Sequence, residues 1–277
     1  MSETGRAAKI HILRQTLAGL EGTGATQALP AQTCPFGRKD HPCALDRALG
    51  GLVTGALYEV APARMGDQTA ATGFALGLAQ RFGAQTPGTL ILISDEFSAR
   101  ETGAPYGLGL AAHGLDLARL LYVRTFGAQD LLWAAEESLR AGAAVCVFID
   151  LGSAARAFDL VAARRLTLAA RISGTPVVLL HPPASFQQQQ AQNGARMRFE
   201  IRSARSAEPQ RHLRPVPGQA HMGVRFAKPG VEAGRVTGLD TEIFRTFIWD
   251  HKDGCFTDAL SLVAPALPRA GADRHSA

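Results

Sequence analysis

Residues 57–69 read LYEVAPARMGDQT, and this stretch decides the fold class because it joins a strand to a helix. The apolar run at 56–60 has the length and continuity of a strand buried on both faces. After the loop, Phe74, Leu78 and Phe82 recur every four residues, which predicts a helix. The alternation that follows predicts an α/β fold with a mainly parallel sheet flanked by helices. The other predicted strands are 89–93, 119–123, 143–149 and 175–180, with helices at 130–140 and 158–172.

The pattern changes after residue 195. Residues 197–203 alternate polar and apolar side chains, and glycine or proline brackets the apolar segments 223–226 and 242–249. These segments predict antiparallel strands appended to the edge of the sheet. We therefore divide the chain into three parts. They are an N-terminal helix with a flexible linker (1–39), an α/β core (40–206), and a C-terminal β extension and tail (207–277).

The composition excludes several classes of protein. Of 277 residues, 46% are hydrophobic and 19% charged, which is enough for a large core and excludes global disorder. The apolar runs are shorter than the roughly 18 residues of a membrane helix, and the polar N-terminus lacks the apolar region of a secretory signal. We expect a cytoplasmic protein with no membrane contact and reduced cysteines. The spacing of Cys34, His41 and Cys43 is not that of a zinc site, so we expect no metal.

The positive charge is concentrated in one segment. The whole chain carries a formal charge of +5, whereas residues 195–235 contain nine basic and three acidic residues, a net +6. Most of these basic residues are arginines, whose guanidinium groups can bind phosphate oxygens in pairs. The segment indicates either a nucleic-acid contact or a solvated, arginine-rich surface. The scarcity of aromatic residues for base stacking leaves both interpretations open.

The loop after the first core strand has the position and spacing of a phosphate loop, G-x-x-x-x-G-K-[ST]. Gly66 is retained, but Ala61 replaces the first glycine, Asp67 the lysine and Gln68 the magnesium-binding hydroxyl. Thr69 could supply that hydroxyl one residue late. The helix N-terminus still favours an anion, but the Asp67 carboxylate repels phosphates where a lysine would attract them. The loop therefore indicates a relic of a nucleotide site, and we expect neither ATP nor magnesium as a cofactor.

Acidic residues follow two of the predicted strands. Asp150 ends the apolar run VCVFID (145–150), as the magnesium-orienting acid of a Walker B strand would. Asp95 and Glu96 follow the strand at 89–93 and could supply a carboxylate that activates water. An acid in this position also commonly caps the next helix. Because the phosphate-loop lysine is missing, we predict no catalytic residue in the chain.

Several motifs in order resemble the core of the RecA recombinases over residues 44–206. They are LDRALGGL (45–52), Gly55, Glu59-Val60, Asp95-Glu96, the segment 106–110, the helix at 129–142, Asp150 and QNGARMRF (192–199). Within that superfamily, GLDLARLL (114–121), LLWAAEESLRAG (131–142) and FIWD (247–250) are similar to the ImuA family of damage-inducible mutagenesis proteins of bacteria.

This resemblance implies a role in DNA repair and mutagenesis, as part of SOS-induced, error-prone translesion synthesis after DNA damage. The implied partners are an ImuB-type, Y-family-like protein and an error-prone C-family DNA polymerase, with RecA and DNA as further candidates. It implies no chemical activity. The chain also departs from the recombinases, because Asp150 leads through residues 151–153 directly into a helix. One of the two DNA-binding loops of a recombinase is therefore missing.

The second DNA-facing loop corresponds to residues 181–194, HPPASFQQQQAQNG. By resemblance, Gln187 and Gln190 are candidate DNA contacts, together with the basic residues that follow. The alternative is a plain polar loop. The basic candidates are Arg196, Arg198, Arg202 and Arg205.

We therefore expect a RecA-like domain without standard ATP hydrolysis that binds partner proteins in a mutagenic repair complex. Two alternatives stay open. One is an ATP-responsive ATPase with an atypical phosphate loop, and the other is a regulator that docks on RecA filaments. By analogy with recombinase subunits, the N-terminal helix and linker would dock onto a partner.

Overall fold

The computed structural model describes residues 31–183, 194–206, 219–229 and 243–259. The strands are β1 (Thr33–Cys34), β2 (Leu52–Val53), β3 (Leu57–Pro62), β4 (Thr89–Asp95), β5 (Leu120–Thr125), β6 (Ala144–Asp150), β7 (Val177–Leu180), β8 (Met197–Ser203), β9 (His221–Pro229), β10 (Arg245–Asp250) and β11 (Cys255–Asp258). The helices are α1 (Ala44–Leu49), α2 (Gln68–Gln85), α3 (Glu96–Thr102), α4 (Gly107–His113), α5 (Ala128–Ala141) and α6 (Leu160–Ser173). Short 3-10 turns span Met65–Asp67, Leu117–Arg119 and Gly152–Arg156.

Nine strands form one mixed sheet in the order β11-β10-β9-β8-β3-β7-β6-β4-β5. The strands from β8 across to β5 pair in parallel. The remaining strands, β9, β10 and β11, are added antiparallel beyond β8. The predicted architecture is therefore confirmed: a mostly parallel, helix-flanked sheet with appended antiparallel strands, consistent with a RecA-like fold.

Local signals explain where the long helices begin and end. The carboxylate of Asp159 accepts the Ala162 N–H at 2.8 Å and so caps the start of α6. Gly142 after α5 and Gly174 after α6 have φ values of 67° and 72°, a left-handed conformation that glycine adopts without strain. No helix in the described ranges is long and apolar enough to cross a membrane.

Two apolar layers hold the sheet, one on each face. On one face, α5 and α6 pack against the parallel strands. On the other, α2 packs against both the parallel strands and the antiparallel extension. Gly77 allows α2 to pack closely against the antiparallel extension, since a Cβ atom there would lie 2.7 Å from Phe256 and 3.0 Å from Trp249. The extension is thus built onto the same helix that covers the core.

Residues 31–39 differ from the prediction of a flexible linker. Phe36 is fully buried, and Cys34 in β1 is nearly so. The buried guanidinium of Arg81 on α2 donates to the carbonyls of Pro35 and Gly37, at 2.8 Å each. It also donates to the Gly254 carbonyl at 2.9 Å, in the turn before β11. This arginine ties the segment to the core, a role that the glycine- and proline-rich composition does not reveal.

A buried ion pair joins β3 to β8, the last parallel strand before the extension. Glu59 on β3 is 0% exposed, and its carboxylate accepts a hydrogen bond from the guanidinium of Arg198 on β8, which is 5% exposed. His181 Nε2 lies 3.7 Å from the same carboxylate oxygen. Burial, and secondarily the Arg198 charge, lower the pKa of His181 to about 3. The imidazole is therefore neutral, and Arg198 carries the positive charge of the cluster.

Candidate functional site

The loop that resembles a phosphate loop lies at the carboxyl edge of the parallel strands, where open α/β sheets bind their ligands. Ala61 and Pro62 are buried at the end of β3, and the exposed Gly66 lies in the short 3-10 turn before α2. Gly66 has no positive φ, and a Cβ atom there would meet nothing within 4 Å. The glycine is therefore not required by the shape of this loop. The strand–loop–helix order is as predicted.

Asp67 fixes the loop to the neighbouring strand. Its Oδ1 accepts the backbone N–H of Ser203, at the end of β8, at 2.8 Å. The carboxylate occupies the position where a phosphate-binding lysine would stand, next to the positive end of the α2 dipole. Gln68 opens α2, and its Oε1 is buried without a hydrogen-bond partner in the described ranges. Thr69 is exposed on the first turn. None of these side chains brings positive charge to the edge.

The acids after β4 are engaged in structural contacts. Asp95 caps α3, accepting the Ser98 N–H at 3.3 Å and the Ser153 hydroxyl at 2.5 Å. Glu96 accepts a hydrogen bond from Arg124 Nε at 2.7 Å and lies 3.5 Å from Arg100 Nε. These contacts agree with the capping interpretation for Asp95. They also leave Glu96 in an ion pair rather than beside the phosphate-loop relic.

Asp150 ends β6 directly beside Ser94 of β4 in the strand register. Its Oδ1 accepts the Gly152 N–H at 3.2 Å. Burial first, and then the nearby charge of Asp95, raise the pKa of Asp150 to about 6. A bound magnesium ion or lysine would have the opposite effect on this pKa, because a positive charge favours the carboxylate.

A cavity of about 450 Å³ opens beside Asp150. It lies between α2, the ends of β4 and β6, and the segment that contains α3 and α4. Its polar wall comprises Gln68, Thr69, Thr72, Ser94, His113 and Asp150. Leu76, Leu92, Leu110 and Phe148 form an apolar wall, and the exposed ring of Tyr106 lies at the rim. In the part of the chain that the structure describes, neither lysine nor arginine lines it.

A second surface, which we call the open face, lies on the antiparallel extension opposite α2. Within the described ranges, no helix covers it. Arg202 on β8 lies flat across Gly223 of β9, where a Cβ atom would come within 2.7 Å of its side chain. The guanidinium groups of Arg202 and Arg225 lie 4.6 Å and 4.8 Å from the centre of the Phe244 ring. Arg225 also donates to Glu200 at 2.7 Å. The open face thus combines positive charge with an aromatic ring.

The structure separates the arginines that were predicted to contact DNA. Arg202 and Arg205 are exposed. Arg196 is half-buried, and its Nε is buried without a partner among the described residues. Arg198 points into the sheet and pairs with Glu59, so its burial corrects its assignment as a surface contact. Gln187 and Gln190 lie outside the described residues.

Sequence reasoning missed three residues at these sites: Arg225, Phe244 and His113. Arg225 lies in the basic segment, but its place beside Arg202 depends on the pairing of β8 with β9. His113 stacks on Trp249, with ring centres 5.0 Å apart, and its carbonyl accepts the Trp249 indole N–H at 2.9 Å. That contact joins residues 136 positions apart, so no local pattern reveals it.

Two cysteines of the segment 34–43 make hydrogen bonds within the fold. Cys34 Sγ donates to the Arg81 carbonyl at 3.1 Å, and Cys43 Sγ donates to Asp46 Oδ2 at 3.3 Å. Across the described ranges, no group of three histidine, cysteine or acidic side chains is placed to hold a metal ion.

Comparison with known proteins adds no assignment: no family model matches the chain, and no curated protein matches its sequence.

Proposed function

We propose that this protein is a non-catalytic, RecA-like component of an SOS-induced, error-prone translesion synthesis complex. In this role it binds partner proteins and DNA. The observation that carries the proposal is Asp67: a carboxylate stands where nucleotide hydrolysis needs a lysine, and it is engaged with the Ser203 backbone. Glu96 supports the same conclusion, since its carboxylate is paired with Arg124. The resemblance to the ImuA family supplies the biological setting.

A protein partner is supported by an exposed apolar stripe on α6. Val161, Leu168 and Ile172 are 62%, 58% and 59% exposed, and their spacing of seven and four residues places them on one face of the helix. Exposed apolar side chains that form one face commonly mark protein interfaces. The proposed partners are an ImuB-type, Y-family-like protein and an error-prone C-family polymerase.

A DNA contact is supported by the open face, where the exposed Arg202 lies over the Phe244 ring, and by the exposed Arg205 just after β8. Guanidinium groups bind phosphates, and an aromatic ring can stack on a base. The double variant R202E/R205E is expected to weaken DNA binding and to flatten its salt dependence. The matched control is R164E/R171E, which makes the same charge change on the exposed side of α6. Equal losses in both variants would indicate a nonspecific charge effect.

The loss of nucleotide chemistry is tested on the purified full chain. We expect no change in melting temperature or calorimetric heat on addition of ATP with magnesium. A magnesium-dependent response to ATP would overturn the non-catalytic assignment and favour the ATP-responsive alternative. Pull-down experiments separate the remaining roles. Capture of RecA without the ImuB-type protein would favour a regulator of RecA filaments, whereas direct capture of the ImuB-type protein supports the proposed complex.

A further inference from the structure

The cavity beside Asp150 contains polar atoms that the protein itself does not satisfy. Gln68 Oε1 and both ring nitrogens of His113 are buried, and none of them makes a hydrogen bond of normal geometry within the described residues. A buried polar atom without a partner costs about 1–3 kcal/mol of stability. Such atoms are rare in native proteins and call for an explanation. Here the three atoms belong to two residues that line the same cavity.

The charge of the cavity is negative. Among the described residues that line the cavity, Asp150 is the only acid, and none is a lysine or arginine. One Asp150 oxygen accepts the Gly152 N–H at 3.2 Å. Burial lowers the pKa of His113 to about 4, against a weaker opposing effect of the Gly73 backbone, so the imidazole is neutral at pH 7. An anionic ligand would therefore meet the Asp150 carboxylate with no lysine or arginine among the described lining residues to offset it.

The remaining walls suit a flat apolar body. Leu76, Leu92, Leu110 and Phe148 line the cavity beside the polar residues of the same elements, and the ring of Tyr106 stands exposed at the rim. The volume of about 450 Å³ is in the range of small-molecule sites. Polar acceptors next to apolar surface suit a ligand with N–H donors at one end of a planar group.

We propose that this cavity binds a small planar organic cation, of amidinium or guanidinium chemistry, whose N–H groups donate to Asp150 and to Gln68 Oε1. The cation neutralises the half-buried carboxylate and satisfies the glutamine oxygen, while its apolar body packs against Phe148 and Leu110. This binding site is independent of the proposed role in translesion synthesis. A nucleotide site at this edge would bind an anion, whereas the proposed site binds a cation.

Three probes of nearly equal size test the charge preference in the full-length protein: benzamidine, neutral benzamide and anionic benzoate. We expect benzamidine to bind in calorimetry and in ligand-observed NMR, benzamide to bind more weakly, and benzoate not to bind. Benzoate binding as tightly as benzamidine, or no binding of benzamidine, would overturn the proposal.

Two variants locate the site. Asp150→Asn keeps an acceptor for the Gly152 N–H but removes the charge, and should weaken benzamidine about tenfold to a hundredfold, as expected for losing a charge-assisted hydrogen bond. Gly73→Leu should abolish binding by filling the cavity, because a Cβ atom at Gly73 has only His113 Nε2 within 4 Å, at 3.8 Å. The matched control is Glu101→Gln, which removes an exposed acid of α3 outside the cavity. An equal loss in Glu101→Gln, or unchanged binding in both cavity variants, would refute the site.

Discussion

Arg198→Met removes the positive charge of the buried ion pair between β3 and β8 while keeping a long apolar side chain. Glu59 is 0% exposed and Arg198 5% exposed, so water cannot replace the lost guanidinium. Removing one partner of a buried pair leaves an uncompensated charge and costs about 3–5 kcal/mol. We expect the free energy of unfolding to fall by that amount.

The double variant E59L/R198M isolates the cause. Replacing both charged side chains by apolar ones of similar volume is often neutral or stabilising, because the cost of burying the charges disappears as well. The double variant should therefore recover most of the stability that the single variant loses. Arg205→Met is the matched control, since Arg205 is exposed, and its effect should stay within about 0.5 kcal/mol.

Urea denaturation followed by tryptophan fluorescence measures all three variants, because Trp249 is buried where the extension packs on α2. The reasoning would be refuted by a loss below about 1 kcal/mol in Arg198→Met, or by a double variant no more stable than the single one. The outcome also bears on DNA binding. A charge reversal at Arg198 would weaken DNA binding by unfolding the protein, so only Arg202 and Arg205 can test a surface contact.

Two further changes have outcomes that follow from the structure. The pKa of Asp150 is raised to about 6 in the folded protein. Ionisation of Asp150 therefore opposes folding once the pH rises above the ordinary pKa of an aspartate. Asp150→Asn should therefore stabilise the protein at pH 7 by up to about 3 kcal/mol and give no gain below about pH 4, as unfolding measured at both pH values would reveal. Gly77→Ala places a Cβ atom 2.7 Å from Phe256 and 3.0 Å from Trp249, and should cost about 1–3 kcal/mol. Gly73→Ala in the same helix has room and should gain about 0.5–1 kcal/mol, so a stabilised Gly77→Ala would contradict the packing argument.

The strands of the core could be predicted from the sequence because strands buried on both faces need continuous apolar runs. The predicted strands at 89–93 and 143–149 begin within one residue of the first residues of β4 and β6. The alternation at 197–203 matches β8, but it does not distinguish Arg198 from Arg202, which share one face of the strand. Neighbouring strands and helices bury the first, whereas the second lies on the open face. The partner of Arg198 is 139 residues away in sequence, beyond any local pattern.

The lining of the cavity could not be predicted from the sequence for a similar reason. Its polar wall draws Gln68, His113 and Asp150 from three separate segments that meet only through the strand order. The sequence did indicate that Asp67 opposes phosphate binding, because that argument needs only the charge and the position in the loop. It could not indicate that the same carboxylate accepts the Ser203 N–H. Electrostatic consequences of a motif are local, whereas hydrogen-bond partners depend on tertiary contacts.

The bond from Ser203 to Asp67 links the two candidate sites. Ser203 follows Arg202, so the residue that opposes phosphate binding also holds the end of the strand that carries the open face. A lysine at position 67 would place a positive charge in the loop but could not accept the Ser203 N–H, because an ammonium group has only donors. Nucleotide binding would therefore require a positively charged donor at position 67, whereas fixing the end of β8 requires a hydrogen-bond acceptor there. In this chain Asp67 accepts the Ser203 N–H, in agreement with the proposal that the protein binds through the open face.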